Sequence, residues 1–254
     1  MNKKNKRSTT DEQLHQLFTS LVNQPDQYEG MPIKKIAIIS TPRSGSSLFC
    51  NILRNTGMLG YPIEWVNMRY LTAYGNVVGK KDVDIGQYLE FIYRKTTSSN
   101  GFFSINFHVS HYTELKSMGI DLKDMQFDKF YYLSRKDKLA QAYSFSKASL
   151  TDQWGAGSKA TSDLPESIPL SHIFSSLAHI SKSEADYELH LKEWVSKEFH
   201  YEDFSQLSKT NAFDTLFKEC SVEPKSDLLT DMKRQSSGDV PREIIALKNY
   251  LQCQ

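Results

Sequence analysis

Residues 33–57 read IKKIAIISTPRSGSSLFCNILRNTG, and this stretch decides the fold. The β-branched run at 33–39 predicts a buried parallel strand. A polar loop of serine, proline and glycine follows at 40–47. The spacing of apolar residues after it predicts an amphipathic helix from Ser47 to about Asn55, with Gly57 as its C-cap. Strand, loop and helix in this order form the first half of a β-α-β unit.

The rest of the chain continues the alternation of strand and helix patterns. Aromatic and β-branched runs predict further strands, and apolar residues at helical spacing predict further helices. The strands are expected at 101–107, 129–133 and 200–204, and the helices at about 137–148, at 170–199, from the third of these strands to near Cys220, and at 241–251. We therefore predict a three-layer, P-loop-like α/β fold, in which helices flank a central, mostly parallel sheet.

The chain divides by pattern into an extension and a single domain. Residues 1–32 carry one amphipathic helix, which Thr9 and Glu12 are placed to start with a capping box. Residues 33–254 are predicted to form the domain. The segment 150–168 is rich in Ser, Gly, Asp and Pro. We predict that it is a mobile loop on the acceptor side of the site, in which Trp154 contacts the acceptor.

Composition excludes several classes of partner. The chain has 254 residues, 39% of them hydrophobic, and a net charge of +1. This charge gives no global attraction to nucleic acid or to an anionic membrane, so any anion site must be local. No stretch reaches the ~20 apolar residues of a membrane span, and no apolar segment follows the basic N-terminus. We expect a cytoplasmic protein without a membrane span.

Cysteine and histidine patterns do not predict a metal site. The three cysteines, Cys50, Cys220 and Cys253, have no metal-binding or redox spacing, which favours free thiols in a reducing compartment. His108 and His111 have H-x-x-H spacing, but no third ligand lies near them in the sequence.

The loop at 40–47 differs from a nucleotide triphosphate P-loop at one decisive position. Aligned with G-x-x-x-x-G-K-[ST], it retains Gly45 and the hydroxyl position at Ser47, but Ser46 replaces the lysine. Backbone N–H groups and the N-terminus of the next helix can still bind a phosphate. Arg43 offers planar, permanently charged donors instead of the lysine. The pattern therefore predicts a nucleotide phosphate without a γ-phosphate, or a sulfated analogue.

Two segments carry a resemblance to a known family. Residues 38–48, IISTPRSGSSL, resemble the phosphosulfate-binding loop of sulfotransferases. Residues 53–65, LRNTGMLGYPIEW, resemble the Stf0 (trehalose 2-sulfotransferase-like) family, which typically reads L-R-x-T-G-x-x-G-x-P-x-E-[FW] at this point. About residues 33–250 can be laid along the family pattern. The resemblance implies transfer of a sulfuryl group from 3′-phosphoadenosine 5′-phosphosulfate (PAPS) to a carbohydrate or glycoconjugate hydroxyl, without a metal, in a homodimer.

The resemblance also implies a role for individual residues. Glu64 matches the general base, and His108, which follows a predicted strand, is the rival for that role. The residues that match donor-binding positions are grouped by the phosphate they would hold: Arg43, Ser44, Gly45, Ser46 and Ser47 for the 5′-phosphosulfate, Arg135 and Ser144 for the 3′-phosphate, and Arg234, in the stretch Lys233–Gln235, as a further donor contact. Arg43 would also neutralise charge on the leaving oxygen, a catalytic role.

Two positions depart from the family pattern, and two other functions stay open. Asn106 stands where the family usually has a lysine, and Tyr61 replaces a common glutamate. These changes leave the acceptor unidentified. A degenerate P-loop kinase or NTPase is one alternative, opposed by the missing lysine at Ser46. A nucleotide-binding protein without catalytic activity is the other.

Overall fold

A central sheet of four strands organises the protein. The computed structural model describes residues 9–154, 162–163, 165, 167–205, 212–223 and 242–252. The strands are β1 (Lys34–Ser40), β2 (Phe102–His108), β3 (Lys129–Ser134) and β4 (Val195–His200), and their order in the sheet is β2-β1-β3-β4. All neighbouring pairs are parallel. The predicted α/β fold with a parallel sheet is confirmed.

Helices connect and cover these strands. In chain order they are α1 (Thr9–Asn23), α2 (Ser46–Asn55), α3 (Met68–Val78), α4 (Ile85–Thr96), α5 (Val109–Ser117), α6 (Lys138–Thr151), α7 (Leu170–His190), the short α8 (Tyr201–Phe204), α9 (Ala212–Cys220) and α10 (Arg242–Gln252). A single 3₁₀ turn, Lys192–Trp194, precedes β4. The sequence patterns predict the helices α1, α2, α6, α9 and α10, but they do not predict α3, α4 and α5.

The sheet is buried on both faces. Successive side chains of a strand point to opposite faces, and the strands are apolar at successive positions. Ala37 and Ile39 of β1 pack in one core, with aromatic residues of α1, α3 and α4. Ile36 and Ile38 pack in the other core, with α2 and α9. The Tyr- and Phe-rich strands are therefore core strands, and the three layers are helices, sheet and helices.

The predicted helix at 170–199 is confirmed over 170–190 and wrong beyond that point, and the predicted strand at 200–204 is wrong. Helix α7 ends at His190, residues 195–200 form β4, and residues 201–204 form α8. Exposure alternates along Val195–His200, as expected for an edge strand, and only Phe199 is fully buried in it. Trp194 and Val195 continue the apolar spacing of α7, which extends the predicted helix too far. The edge strand that follows alternates with polar residues, so it has few apolar residues that would indicate a strand.

The loops after β1 and β2 leave the sheet in opposite directions. The loop after β1 leads to α2 in one core, whereas α5, which follows β2 directly, packs in the other core. Parallel sheets bind ligands at such a division, beyond the carboxyl ends of the strands. Ser40 and His108, the last residues of β1 and β2, stand in register there.

Two further sequence expectations concern thiols and membranes. Cys50 is buried and Cys220 half-buried, and both are free thiols, whereas Cys253 lies outside the described residues. Within the part of the chain that the structure describes, no helix is both long and apolar enough to cross a membrane.

Candidate functional site

The loop between β1 and α2 has the backbone shape of an anion site. Gly45 is the N-cap of α2, with φ 87°, and no side chain caps the helix there. Arg43 also has a left-handed backbone, with φ 62°. A left-handed conformation is costly for an arginine, and such strain is held in place where surrounding structure fixes a functional loop. An uncapped helix N-terminus of this kind can bind an anion through its first N–H groups.

Gln141, which sequence reasoning missed, fixes this loop from α6. Its side chain is fully buried, and its Nε2 donates to Thr41 Oγ1 at 2.9 Å and to the Pro42 carbonyl at 2.8 Å. A buried amide that satisfies two loop acceptors removes the freedom of the loop at its first two residues. No local sequence signal marks Gln141, because its partners lie about 100 residues away.

Arg43 joins the loop to the helix that follows β3. Its Nε donates to Ser144 Oγ at 3.0 Å, and its terminal NH1 donates to the Trp154 carbonyl at 2.6 Å. Three residues selected from the sequence therefore lie together. The Trp154 ring is partly exposed and contacts Phe145 with 5.9 Å between ring centroids.

Arg135 approaches the same loop through Tyr201, a second residue that the sequence did not reveal. The Arg135 guanidinium lies 4.8 Å from the centroid of the Tyr201 ring. That ring covers Gly45 so closely that an added Cβ would lie 2.4 Å from it. Burial and the neighbouring Arg135 charge lower the pKa of Arg43, against an opposing effect of Tyr201. Two guanidinium groups close enough to repel each other favour a bound anion.

Polar groups around the loop keep unused hydrogen-bonding capacity. Among the described residues, the buried Ser44 Oγ and Arg135 Nε have no hydrogen-bond partner. Asp137 caps α6 and pairs with Lys248 at 2.7 Å, and the Arg135 charge contributes to the lowered pKa values of Asp137 and Glu202. Unsatisfied buried groups are rare and call for a ligand or an ordered water. Ser46 is buried at the start of α2, and Ser47 is exposed.

A segment running along the free edge of β2 brings Glu64 to the same end of the sheet. The N–H of Asn106 donates to the Ile63 carbonyl at 2.9 Å, and Ser104 Oγ bonds the Leu59 carbonyl. Gly60, with φ 74°, lets the segment approach β2, because an added Cβ would lie 2.9 Å from the Phe102 oxygen. Glu64 therefore emerges beside the last residues of β2.

Glu64 ends this segment in a polar cluster. Its Oε1 lies 3.3 Å from His108 Nε2, and its Oε2 accepts from Asn67 Nδ2 at 2.9 Å. The side chains of Glu64 and His108 are 28% and 17% exposed, so both are largely buried and a small part of each is accessible to solvent. His111, in the first turn of α5, contacts His108 with 5.4 Å between ring centroids. The structure thus brings the two rival bases into one pair.

The charges of this cluster shift one another's pKa values. Burial alone would raise the pKa of Glu64, but the charge and hydrogen bond of His108, with His111 and Asn67, lower it to about 2. Burial alone would lower the pKa of His108, but Glu64 raises it. Burial and the His108 charge lower the pKa of His111 to about 4. These shifts favour the ionised form of Glu64, the protonated form of His108 and the neutral form of His111.

The two positions that depart from the family pattern have specific partners. Asn106 Oδ1 accepts from Ser40 Oγ at 3.1 Å, and the same hydroxyl lies 3.0 Å from His108 Nδ1. Tyr61 OH accepts from Arg54 NH1 at 3.2 Å. Asn106 therefore belongs to the polar cluster, whereas the Tyr61 ring packs against Trp65 and Arg54.

Some predicted features lie outside the described residues. They are Lys233, Arg234 and most of 155–166. Over the residues that are described, no group of histidine, cysteine and carboxylate side chains is arranged to hold a metal ion.

The fold and this site define a class: a parallel α/β protein with an uncapped helix N-terminus after its first strand and a carboxylate at the same end of the sheet. The model of the Stf0 sulphotransferase family matches residues 36–237, which is most of the chain. The protein belongs to the Stf0 sulphotransferase family, and the resemblance in its sequence is confirmed. Family membership indicates sulfuryl transfer from a sulfate donor to an acceptor. No curated protein matches the chain.

Proposed function

We propose that the protein transfers a sulfuryl group from PAPS to a hydroxyl of a carbohydrate or glycoconjugate, with Glu64 as general base. One observation carries the proposal. The loop after β1 and Glu64 lie at the same end of the sheet, because Glu64 contacts His108, the last residue of β2, and Ser40, the last residue of β1, is in register with His108. Sulfuryl transfer resembles phosphoryl transfer, so positioning and charge neutralisation are its main requirements.

The loop side is suited to the donor. We assign the 5′-phosphosulfate to Arg43 and residues 44–47, where the uncapped N-terminus of α2 supplies N–H donors. We assign the 3′-phosphate to Arg135 and Ser144, and Arg234 stays a predicted donor contact. Ser144 already bonds Arg43, which supports a continuous anion-binding surface between the two phosphates. Fixed charges of this kind stabilise the leaving phosphate in the transition state.

Glu64 is suited to take the acceptor proton. It is an ionised carboxylate, partly open to solvent, and held on both oxygens by His108 and Asn67. The acceptor oxygen forms its bond to sulfur as the bond from sulfur to the 5′-phosphate oxygen breaks, and the hydroxyl proton passes to the carboxylate. A positioned base contributes about 10²–10⁴-fold to such a step.

The partly exposed Trp154 and Phe145 rings contact each other, and the Trp154 backbone carbonyl, which accepts from Arg43 NH1, holds them beside the donor loop. Aromatic faces of this kind bind the apolar face of a sugar ring, which supports a carbohydrate acceptor. A homodimer and a cytoplasmic location stay predictions, and light scattering in solution tests the first.

Transfer is tested with PAPS and a panel of glycans and glycolipids, by intact-mass detection of one added SO₃ group. Glu64→Gln should bind 3′-phosphoadenosine 5′-phosphate (PAP) as wild type does and lose most transfer. Arg43→Ala should lose PAP affinity. Glu90→Gln and Arg69→Ala, both at exposed positions, serve as matched controls. Undiminished turnover by Glu64→Gln would reject its role as base, and PAP binding without transfer to any acceptor would favour a protein without catalytic activity.

A further inference from the structure

His108 is held by a hydrogen-bond arrangement that leaves only one of its nitrogens free to titrate. Ser40 Oγ donates its single proton to Asn106 Oδ1 at 3.1 Å. The same oxygen lies 3.0 Å from His108 Nδ1, and it can only accept there. In this arrangement we assign the proton of the contact to Nδ1. The proton that His108 gains and loses is on Nε2, the nitrogen that faces Glu64 Oε1 at 3.3 Å.

This arrangement creates a difficulty for Glu64 acting alone. A carboxylate beside a protonated imidazole is a weak base. If it took the acceptor proton, the ion pair would be lost and a neutral carboxylic acid would stand next to the imidazolium cation. The same carboxylate beside a neutral His108 has a nearby nitrogen lone pair to receive the proton. Two groups this close titrate as a pair, and their pKa values belong to the pair.

We propose that Glu64 and His108 act together as the base, so that the proton taken from the acceptor is held between Glu64 Oε1 and His108 Nε2. This inference rests on the proposed function. In the transfer step the acceptor oxygen bonds to sulfur, and the bond from sulfur to the 5′-phosphate oxygen breaks with both electrons leaving on the phosphate. The acceptor proton moves to the pair, and it leaves to solvent after the products dissociate.

The surroundings of His108 fit this role on every side. Glu64 faces its Nε2, and Ser40 and Asn106 fix its Nδ1. The charges near it from other elements are Arg43 in the loop, His111 in α5 and His179 in α7. Burial and the Arg43 charge both lower the pKa of His108, and the charge and hydrogen bond of Glu64 raise it. The net pKa is raised, so the effect of Glu64 is the stronger one. The pair is thus set to exchange a proton at or above the ordinary histidine range.

The pair predicts which form of the enzyme is active. Transfer requires the state in which the pair has lost its proton, so the rate rises with pH through the raised pKa of His108. If Glu64 alone were the base, the rate would rise through the pKa of the carboxylate and stay level across the neutral range. A residue that only supports the fold would change the amplitude of the profile and leave its shape unchanged.

The first test needs no acceptor. Two-dimensional NMR of ¹⁵N-labelled imidazoles, in wild type and Glu64→Gln, follows the titration of His108. We expect wild-type His108 to keep its Nδ1 proton throughout and to titrate on Nε2 above about 6.5, the ordinary value, and to titrate lower in Glu64→Gln. His172→Gln, a substitution at an exposed position in α7, assigns a background histidine. A His108 titration that does not change in Glu64→Gln overturns the pair.

The second test measures PAP release from PAPS as a function of pH, with D-glucose and water as hydroxyl sources. In His108→Gln the base reverts to an isolated carboxylate. We expect a level profile from about pH 6 to about pH 9 and a rate about 10- to 100-fold below wild type at the upper end. A His108→Gln profile that rises like that of wild type overturns the proposal. Wild type that binds no PAP and cleaves no PAPS would instead reject the proposed function.

Discussion

The placement of Glu64 depends on the close approach of Gly60 to β2, and a pair of glycine substitutions tests this dependence. Gly57 and Gly60 both have left-handed backbones, with φ 67° and 74°. An alanine Cβ at Gly57 meets nothing within 4 Å, whereas at Gly60 it would lie 2.9 Å from both the Phe102 oxygen and the Ser104 nitrogen. Gly57→Ala therefore measures backbone strain alone, and Gly60→Ala measures the same strain plus the collision.

The magnitudes follow from these contacts. A non-glycine residue in the left-handed region costs roughly 1–2 kcal/mol, offset by about 0.4–1 kcal/mol of lost unfolded-state freedom. We expect Gly57→Ala to lower the free energy of unfolding by about 1 kcal/mol. Gly60→Ala must also push the segment off β2, weakening the bonds at Leu59 and Ile63. At about 1 kcal/mol for each bond, its total is about 3 kcal/mol.

Urea unfolding measures these free energies, and PAP titration with transfer assays measures their functional consequence. Gly60→Ala should keep PAP affinity within about 2-fold, because the collision at Gly60 is with β2 and not with the loop at 40–47. Its transfer rate should fall by up to about 10²-fold, the cost of a misplacement near 1 Å. Gly57→Ala should transfer at the wild-type rate. Equal loss of stability in the two variants, or equal transfer, would refute the reasoning.

Three other changes test the loop and the polar cluster. Gly45→Ala should push the Tyr201 ring away from Arg135 and weaken PAP binding by about 10-fold, or about 1.4 kcal/mol, in calorimetry. Gln141→Leu leaves two buried loop acceptors without their donor, so urea unfolding should show a loss of about 1–3 kcal/mol. Because the pKa of Glu64 is about 2 in the folded protein and 4.5 ordinarily, its charge adds up to about 3 kcal/mol above pH 4.5 that is lost as pH falls toward 2. Glu64→Gln should therefore lose less of its free energy of unfolding than wild type does as pH falls from 4.5 toward 2. An equal loss in the two proteins would exclude Glu64 as the source.

The sequence predicts those parts of the fold whose signal is local. β1, the loop at 40–47 and α2 follow from a β-branched run, a serine-glycine turn and helical spacing within 25 residues. The predicted helix begins one residue late, at Ser47 instead of Ser46. The strand β4 was missed, because an edge strand has few apolar positions and its neighbour α7 ends without a glycine or proline to mark the end.

The candidate site divides in the same way. Arg43, Glu64 and Arg135 stand out because of motifs around them. Gln141, Asn67 and Tyr201 do not, because each acts through a partner that only the folded chain brings near. His108 illustrates the limit best. The sequence offers it as a rival to Glu64, and only the 3.3 Å contact between them indicates that the two work together.

Titration with PAP, AMP and Mg²⁺-ATP tests the central claim most directly, since the three ligands differ in the phosphates that the loop, Arg135 and Ser144 are proposed to hold. We predict that PAP binds without magnesium and at least about 10-fold more tightly than AMP, a difference of about 1.4 kcal/mol for the 3′-phosphate. Tighter binding of Mg²⁺-ATP than of PAP, or equal binding of PAP and AMP, would contradict a PAPS-dependent sulfotransferase.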